Sequence, residues 1–147
     1  MLSLDQNIEM MNYWLIKSEP SSYSIDDLKK EKSTFWNGVR NYAARNNMRA
    51  MVKGDLCIFY HSVKAPAIVG LAKVVKEAYQ DPTTDDTAWS VVDVAFEEKF
   101  AREISLAEVK QQPVLEDMEL IRYSRLSVQK VTKKEFDYIL KLVKEKK

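Results

Sequence analysis

Apolar and polar positions divide this chain into short β-rich segments. Alternation with a two-residue period, or a short apolar run between breakers, is typical of β-strands. The Glu19-Pro20 pair and the Lys53-Gly54-Asp55 turn are two of these breakers. The predicted strands are Asn12–Lys17, Leu56–His61, Ala67–Tyr79 (with Gly70 as a bulge or close-approach point), Trp89–Phe100 and Ser124–Val131.

Helix-start signals lie between these strands. A Ser or Thr followed three residues later by an acid forms a capping box, and this pattern predicts helices that begin after Ser24, Ser105 and Thr132. Asn41 is the predicted N-cap of a helix from Tyr42 to about Val52. Helices interspersed among strands favour an α+β domain around a mixed, curved or closed sheet.

Composition excludes several classes of protein. The chain has 147 residues, enough for one domain, and its single Cys57 cannot form an internal disulfide, which favours a reducing, cytoplasmic compartment. No apolar run approaches the roughly 20 residues of a membrane span. Residues 1–11 carry Asp5 and Glu9 but no base, so they are predicted to be an N-terminal extension rather than a secretory signal. Residues 12–147 are predicted to form the single domain.

The net charge of +1 hides an uneven distribution. Residues 33–76 contain seven Lys or Arg and one acid, residues 77–119 contain twelve acids and three bases, and residues 120–147 contain nine bases and three acids. A polyanion would favour the first and last segments if they share a face, although the charges also fit an ordinary solvated surface. Because proteins that rely on phosphate contacts are usually more basic, a specific pocket would have to contribute to binding.

Residue types needed for common catalytic chemistry are scarce. With one His and one Cys, no metal cluster is expected, and the isolated glycines form no phosphate loop. Cys57 and His61 lie four residues apart on a predicted strand, roughly 13 Å, too far for a nucleophile and its base. We therefore expect no catalytic activity, metal or cofactor. If the protein is instead an enzyme, Glu19 is the one candidate for its acid–base group.

One stretch, Phe35 to Asn47, interleaves aromatic, amide and arginine side chains. Stacking on flat rings and reading of base edges by amides are the requirements for holding an unpaired nucleobase. Trp36 and Tyr42 can stack, three asparagines can read edges, and arginines can neutralise phosphates. Each residue also has an ordinary structural interpretation: Trp36 could be a core residue, Asn41 a helix cap and Tyr42 a residue at the edge of the core.

Six segments of the chain have a distinctive composition and spacing: Tyr13-Trp14-Leu15-Ile16-Lys17-Ser18-Glu19-Pro20, Trp36-Asn37-Gly38-Val39-Arg40-Asn41-Tyr42-Ala43-Ala44-Arg45-Asn46, Gly54-Asp55-Leu56, Phe59-Tyr60-His61-Ser62, Ile68-Val69-Gly70 and Ser124-Arg125-Leu126-Ser127-Val128-Gln129. In their order and spacing, the sequence resembles the EVE domain family over about Asn12 to Leu142. It implies a PUA-like fold, a curved mixed β-barrel with short helices at its rim and a C-terminal helix. It also implies a non-catalytic reader of modified bases, with 5-methylcytosine-type bases in DNA as the leading candidates.

The resemblance implies positions for the contacts as well. The expected base pocket consists of Trp14, Lys17, Ser18, Glu19, Trp36, Asn37, Val39, Arg40, Asn41, Tyr42, Tyr60, His61, Ser62, Arg125, Leu126 and Ser127, the last three on the final strand. The expected phosphate contacts are Arg45, Asn46, Arg49 and Lys53. As the only histidine, His61 could instead be a satisfied structural residue.

The chain departs from the family in one loop. Many bacterial members carry a longer insert after the Asp-Pro turn, whereas Asp81-Pro82 here reaches Trp89 within a few residues, which bears on the range of ligands. Two other functions stay open: an RNA-binding PUA-like module acting on tRNA or rRNA, and a small-molecule or nucleoside pocket. The expected partner is nucleic acid, with a modified DNA base preferred over RNA. We expect no membrane or metal partner, and we expect a monomer.

Overall fold

Strand β1 (Tyr13–Ser18) shows how the chain covers both faces of its sheet. The computed structural model describes residues 11–145. Successive side chains of a strand point to opposite faces. In β1, Trp14 and Ile16 pack into one apolar cluster while Tyr13 and Leu15 pack into a second. The sheet is therefore buried between two cores, and helices from different parts of the chain close each side.

The sheet is mixed and has six strands. They are β1, β2 (Ser33–Phe35), β3 (Leu56–His61), β4 (Ala67–Gln80), β5 (Ser90–Ser105) and β6 (Val128–Val131), in the order β2-β5-β4-β3-β1-β6. β1 runs parallel to β3, and the other neighbouring pairs are antiparallel. Within residues 11–145 the edge strands β2 and β6 do not pair with each other, so the sheet is open. The predicted α+β class is confirmed, and hydrogen bonding does not close the sheet into the expected barrel.

Five α-helices cover the two faces of the described sheet. They are α1 (Ile25–Glu31), α2 (Tyr42–Ala50), α3 (Leu106–Lys110), α4 (Glu119–Arg122) and α5 (Lys133–Lys144), with a 3-10 turn at Pro113–Leu115. α1 and α2 bury Ile25, Leu28, Ala44 and Met48 against the first face. α5 buries Phe136, Ile139 and Leu142 against the second face. Met11, at the end of the predicted extension, packs on the second cluster, whereas residues 1–10 lie outside the described part, so the extension stays a prediction.

Local helix signals are mostly confirmed. The capping boxes at Ser24 and Thr132 are formed in both directions, and the Asn41 side chain accepts from the amide of Ala44. The box at Ser105 is half formed: its hydroxyl accepts from the Glu108 amide, but the Glu108 carboxylate binds the Arg102 guanidinium instead of the cap.

The final strand is shorter than predicted, and this prediction is wrong in its first half. β6 begins at Val128, and residues 124–127 form a loop. Backbone carbonyl groups in and next to that loop accept hydrogen bonds from side chains instead of from the backbone of a neighbouring strand. Lys17 Nζ donates to Ser124 O, and Gln129 Nε2 donates to Tyr123 O and Leu126 O. Neither β2, a three-residue edge strand, nor α4 was predicted from the sequence.

Gly70 allows β4, β5 and α1 to approach one another closely. A Cβ at this position would collide with the carbonyl oxygen of Glu98 and would meet Ile25 atoms at 3.0 Å. The register between β4 and β5 also shifts between Ile68 and Gly70. The predicted bulge and close approach are both confirmed, and the close contact seats α1 directly on the sheet beside the end of β1.

Candidate functional site

A pocket of about 290 Å³ lies where β1 ends. Because β1 and β3 are parallel, their carboxyl ends meet at one edge of the sheet, with Ser18 opposite His61. Strand β2 and the residues that follow it form the opposite wall. The lining residues are Lys17, Ser18, Ser22, Tyr23, Thr34, Phe35, Trp36 and Asn37.

A tight turn after β1 places Tyr23 at the pocket. The carbonyl of Glu19 accepts from the amides of Ser22 and Tyr23, at 2.9 and 2.8 Å. Ser18 Oγ then donates to the carbonyl of Tyr23 at 2.6 Å. Ser24 begins α1 immediately afterwards, so the Tyr23 ring is held between a strand end and a helix cap.

Trp36 is both a pocket wall and a core residue. It is 9% exposed, and its ring meets Phe59 edge-on at 5.5 Å and Tyr23 edge-on at 6.1 Å. Its amide donates to the carbonyl of Val92, which continues the pairing of β2 with β5. Such edge-to-face packing fixes the orientation of an aromatic ring, so the wall of the pocket is preorganised.

Asn37 gives the pocket an unused amide. It is exposed, and its side chain has no hydrogen-bond partner within residues 11–145. A free carboxamide offers two donors and an acceptor, the groups that read a base edge. The rings and this amide together provide what is needed to hold a flat polar molecule.

Two ionisable groups line the pocket in shielded settings. Burial and a hydrogen bond from the Tyr23 hydroxyl to Glu31 raise the pKa of Tyr23, so the phenol stays protonated. Burial lowers the pKa of Lys17, whose ammonium donates to Ser124 O at 2.6 Å and lies 5.7 Å from the centre of the Tyr60 ring. The Lys17 side chain thus ties the loop before β6 to the end of β1.

The structure brings together four of the sequence-predicted pocket residues: Lys17, Ser18, Trp36 and Asn37. The sequence missed four others, namely Ser22, Tyr23, Thr34 and Phe35. Phe35 carried a usable signal, because it is an aromatic residue directly before Trp36, which was assigned to the pocket. Tyr23 lies four residues after the assigned Glu19.

Trp14 and Tyr60 do not line this pocket. Trp14 lies near the start of β1, where its indole N–H donates to Asp55 Oδ2 at 3.0 Å, and it lines a separate hollow there. Tyr60 is buried in the second cluster, because alternation along β3 turns it away from Phe59 and His61. Both residues are structural in their contacts.

His61 and Ser62 do not line the pocket, but each bonds to a residue next to it or within it. His61 Nε2 accepts from the amide of Ile25 at 3.1 Å, and the Ser62 amide donates to the carbonyl of Ser18 at 2.9 Å. Burial lowers the pKa of His61, consistent with a neutral ring whose Nε2 is an acceptor. His61 therefore caps the start of α1, which favours its structural alternative.

The second half of the stretch from Phe35 to Asn47 turns away from the pocket. Arg40 bonds to the buried Asp81 carboxylate at 3.1 Å and lies over the Trp89 ring. Tyr42 stacks on Trp89 with ring centres 5.2 Å apart, and Asn41 caps α2. These residues hold the loop between β4 and β5 against α2.

Three of the four expected phosphate contacts, Arg45, Asn46 and Arg49, have side-chain partners within the protein. Arg45 donates to Asn46 and to the carbonyl of Ala88. Arg49 donates to Ser90 Oγ and to the carbonyls of Thr87 and Ala88, at 2.9, 3.2 and 3.3 Å. The Lys53 side chain is exposed at the turn after α2. Contact of these four residues with phosphate stays a prediction.

The remaining predicted residues are spread around the site. Glu19 is exposed and contributes only its carbonyl to the turn, and Val39 is buried in the first cluster. Arg125, Leu126 and Ser127 lie in the loop before β6 rather than on the strand, which corrects the prediction. The Ser127 carbonyl accepts from the amide of Lys17, so this loop adjoins the pocket, and Arg125 is exposed beside it.

Two features are absent from residues 11–145, namely a metal-binding cluster and a membrane-spanning helix. No group of three or more His, Cys, Asp or Glu side chains could hold a metal ion. None of the helices described is long and apolar enough to cross a membrane.

The family of this chain follows from its sequence over most of its length. Residues 12–142 match the EVE domain, and the chain belongs to that family. Thymocyte nuclear protein 1 of Gallus gallus is 42% identical over 168 aligned residues, which cover 91% of this chain and 69% of that protein. The mouse protein of the same name is 44% identical, with 90% and 74% covered.

Solved structures agree with the family. A hypothetical protein from Leishmania major has a TM-score of 0.87 at 45% identity, covering 92% of this chain and 96% of that one. Human THYN1, solved in complex with DNA containing 5-methylcytosine, has a TM-score of 0.85 at 39% identity, covering 92% and 99%. The YTH domain of Zygosaccharomyces rouxii MRB1 shares the fold at a TM-score of 0.60 and 18% identity, covering 95% and 90%.

Proposed function

We propose that this chain is a non-catalytic reader that holds one modified nucleic-acid base in the pocket at the end of β1. The base proposed is a cytosine of the 5-methylcytosine type in DNA. The observation that carries the proposal is the pairing of a fixed aromatic wall, Trp36 and Tyr23, with the unused amide of Asn37 in one small pocket.

The size of the pocket supports a ligand of base dimensions. Small-molecule sites range over roughly 300–1,000 Å³, and this pocket, at about 290 Å³, lies just below that range. A single base fits such a volume better than a dinucleotide cofactor would. A methyl group on the base would add apolar surface, which the aromatic wall is suited to cover.

Similarity to human THYN1 supports the choice of modified DNA. That protein is 39% identical and was solved with DNA containing 5-methylcytosine. The absence of turnover is part of the proposal, because the Lys17 amine and the Tyr23 hydroxyl are both engaged in hydrogen bonds within the protein.

The proposal also includes the domain organisation, the oligomeric state, the location and the phosphate contacts of the chain. We place a single PUA-like domain over residues 12–147, with residues 1–11 as an extension, and we expect the open sheet to curve as in other PUA-like folds. We also expect a monomer in the cytoplasm. Arg45, Asn46, Arg49 and Lys53 remain candidates for phosphate contact.

Fluorescence anisotropy with matched oligonucleotides tests the proposal. Wild-type protein should bind a strand with one 5-methylcytosine more tightly than its unmodified copy and more tightly than the corresponding RNA. Asn37→Ala should cost about 1–3 kcal/mol, roughly five- to 150-fold in affinity, as expected for loss of a base-edge contact.

Asn12→Ala is the matched control, since Asn12 is exposed just before β1, at the opposite end of that strand. It should leave affinity unchanged. Equal affinity of the wild type for all oligonucleotides, unaltered by Asn37→Ala, contradicts a base-reading function. Tighter binding of the RNA would favour the RNA-binding alternative.

A further inference from the structure

The turn between β3 and β4 carries an unusually exposed apolar side chain. Val63 is 75% exposed, more than any other large hydrophobic residue in the described part of the chain. Single exposed valines are common on protein surfaces and need no explanation by themselves. The backbone of Val63 makes this one different.

Val63 has φ of +72°, a conformation that β-branched residues rarely adopt. The amide of Lys64 donates to the carbonyl of Ser62 at 3.0 Å, which closes a three-residue γ-turn around Val63. The γ-turn with positive φ is rare and strained. Ala65 also has positive φ, at +48°. Glycine would adopt these angles without strain, so a valine here calls for a functional explanation.

The base of this turn is fixed beside the pocket. The Ser62 amide donates to the carbonyl of Ser18, a pocket residue, and His61 accepts from the amide of Ile25. The tip is therefore held by the same strand ends that form the site. Next to it, the Lys64 ammonium has no ion-pair or hydrogen-bond partner within residues 11–145.

We propose that Val63 is a wedge that enters the base stack of a duplex when the neighbouring pocket takes up a base. This proposal rests on the proposed function and adds that the substrate is double-stranded. A base inside a duplex is stacked and paired, so it reaches the pocket only by rotating out of the helix. Apolar side chains that fill such gaps between bases are a general device of DNA-bending and base-extruding proteins.

The strained turn suits that role. Because its conformation is already set in the free protein, inserting the valine orders no additional backbone, and rigid preorganisation lowers the cost of binding. Lys64 would follow the tip towards the phosphates. A reader of single strands would gain nothing from a strained, exposed valine at this place.

Val63→Gly removes the side chain while its backbone adopts the γ-turn without strain. We expect it to weaken binding to a paired duplex with one 5-methylcytosine at least tenfold. The loss should shrink when the modified base is mismatched, because extrusion then costs less, and it should vanish on the single strand. Thermal unfolding should show no loss of stability.

One further measurement and a control variant separate a wedge from a surface contact. A 2-aminopurine beside the target base should brighten when wild-type protein extrudes that base, and Val63→Gly should reduce the signal. Val114→Ala, at an exposed valine in the 3-10 turn, is the control and should match wild type throughout.

Each outcome is decisive. If Val63→Gly binds duplex, mismatched duplex and single strand as wild type does, while Asn37→Ala still loses affinity, the wedge is wrong and the base pocket stands. If the wild type shows no preference for the modified base on any substrate, the proposed function fails and the wedge fails with it.

Discussion

Replacing Asp55 with alanine tests whether Trp14 belongs to the fold rather than to the base pocket. Asp55 is 4% exposed and sits in the turn before β3. Its carboxylate accepts from the Trp14 indole at 3.0 Å, the Val52 amide at 2.9 Å and the Asn12 amide at 3.3 Å. One side chain thus joins the start of β1 to the end of α2.

The magnitude follows from these three bonds. A hydrogen bond to a charged group contributes about 1.5–3 kcal/mol, and a buried donor left without a partner carries its full desolvation cost. The Trp14 bond is buried, whereas water can reach the two partly buried amides once the carboxylate is gone. We expect Asp55→Ala to lower the free energy of unfolding by about 3 kcal/mol, or roughly 10 °C in Tm.

Urea unfolding followed by tryptophan fluorescence measures this loss. Asp55→Asn is the control: it keeps one amide oxygen as an acceptor but loses the charge, so it should lie between Asp55→Ala and wild type. The folded fraction of Asp55→Ala should bind the 5-methylcytosine strand with wild-type affinity. A stability loss under 1 kcal/mol, or lost affinity in protein that remains folded, would refute the structural assignment of Trp14.

Two pH-linked predictions accompany this one. Burial lowers the pKa of His61 in the folded protein. As the pH drops below about 6.5, the unfolded chain therefore takes up a proton at this histidine before the folded chain does. The free energy of unfolding should then fall by at most about 1.4 kcal/mol per pH unit. His61→Gln should abolish this slope between pH 6.5 and 5 in urea titrations, because the chain has one histidine; a persistent slope would contradict the assignment. Burial opposes ionisation of Asp81, but bonds from Thr83 and Arg40 outweigh it and lower its pKa. Asp81→Asn should therefore lower the free energy of unfolding by about 2 kcal/mol at pH 7, and this difference from wild type should disappear as the pH falls through the lowered pKa of Asp81. Unfolding measured at pH 7 and pH 3 tests this, and an equal difference at both pH values would contradict the prediction.

Signals that act over a few residues predicted the framework well. β3 has the bounds expected from its apolar run, Leu56–His61, and the capping boxes at Ser24 and Thr132 are formed. The requirements of a cap or a strand face are local, so the sequence contains them. Gly70 was identifiable for the same reason, because an isolated glycine in a strand indicates close approach.

Partnerships between distant segments were not predictable in this way. Arg40 bonds to Asp81, 41 residues away, and Arg49 donates to the carbonyls of Thr87 and Ala88 in the loop that contains Asp81. An arginine that neutralises a phosphate and one that holds carbonyl groups have the same residue type and spacing. Only the folded structure shows that Arg40, Arg45 and Arg49 bond to the loop between β4 and β5.

The stretch from Phe35 to Asn47 divides at Gly38 into a part that lines the pocket and a part that does not. This glycine has φ of +81°, and a Cβ there would meet no atom within 4 Å, so conformation rather than space favours glycine. Before the turn, Trp36 and Asn37 line the pocket; after it, Arg40 reaches Asp81. The basic residues that suggested phosphate binding are thus largely engaged within the protein. A reader built in this way has to draw its affinity from the pocket and its rim, which is consistent with a chain whose net charge is only +1.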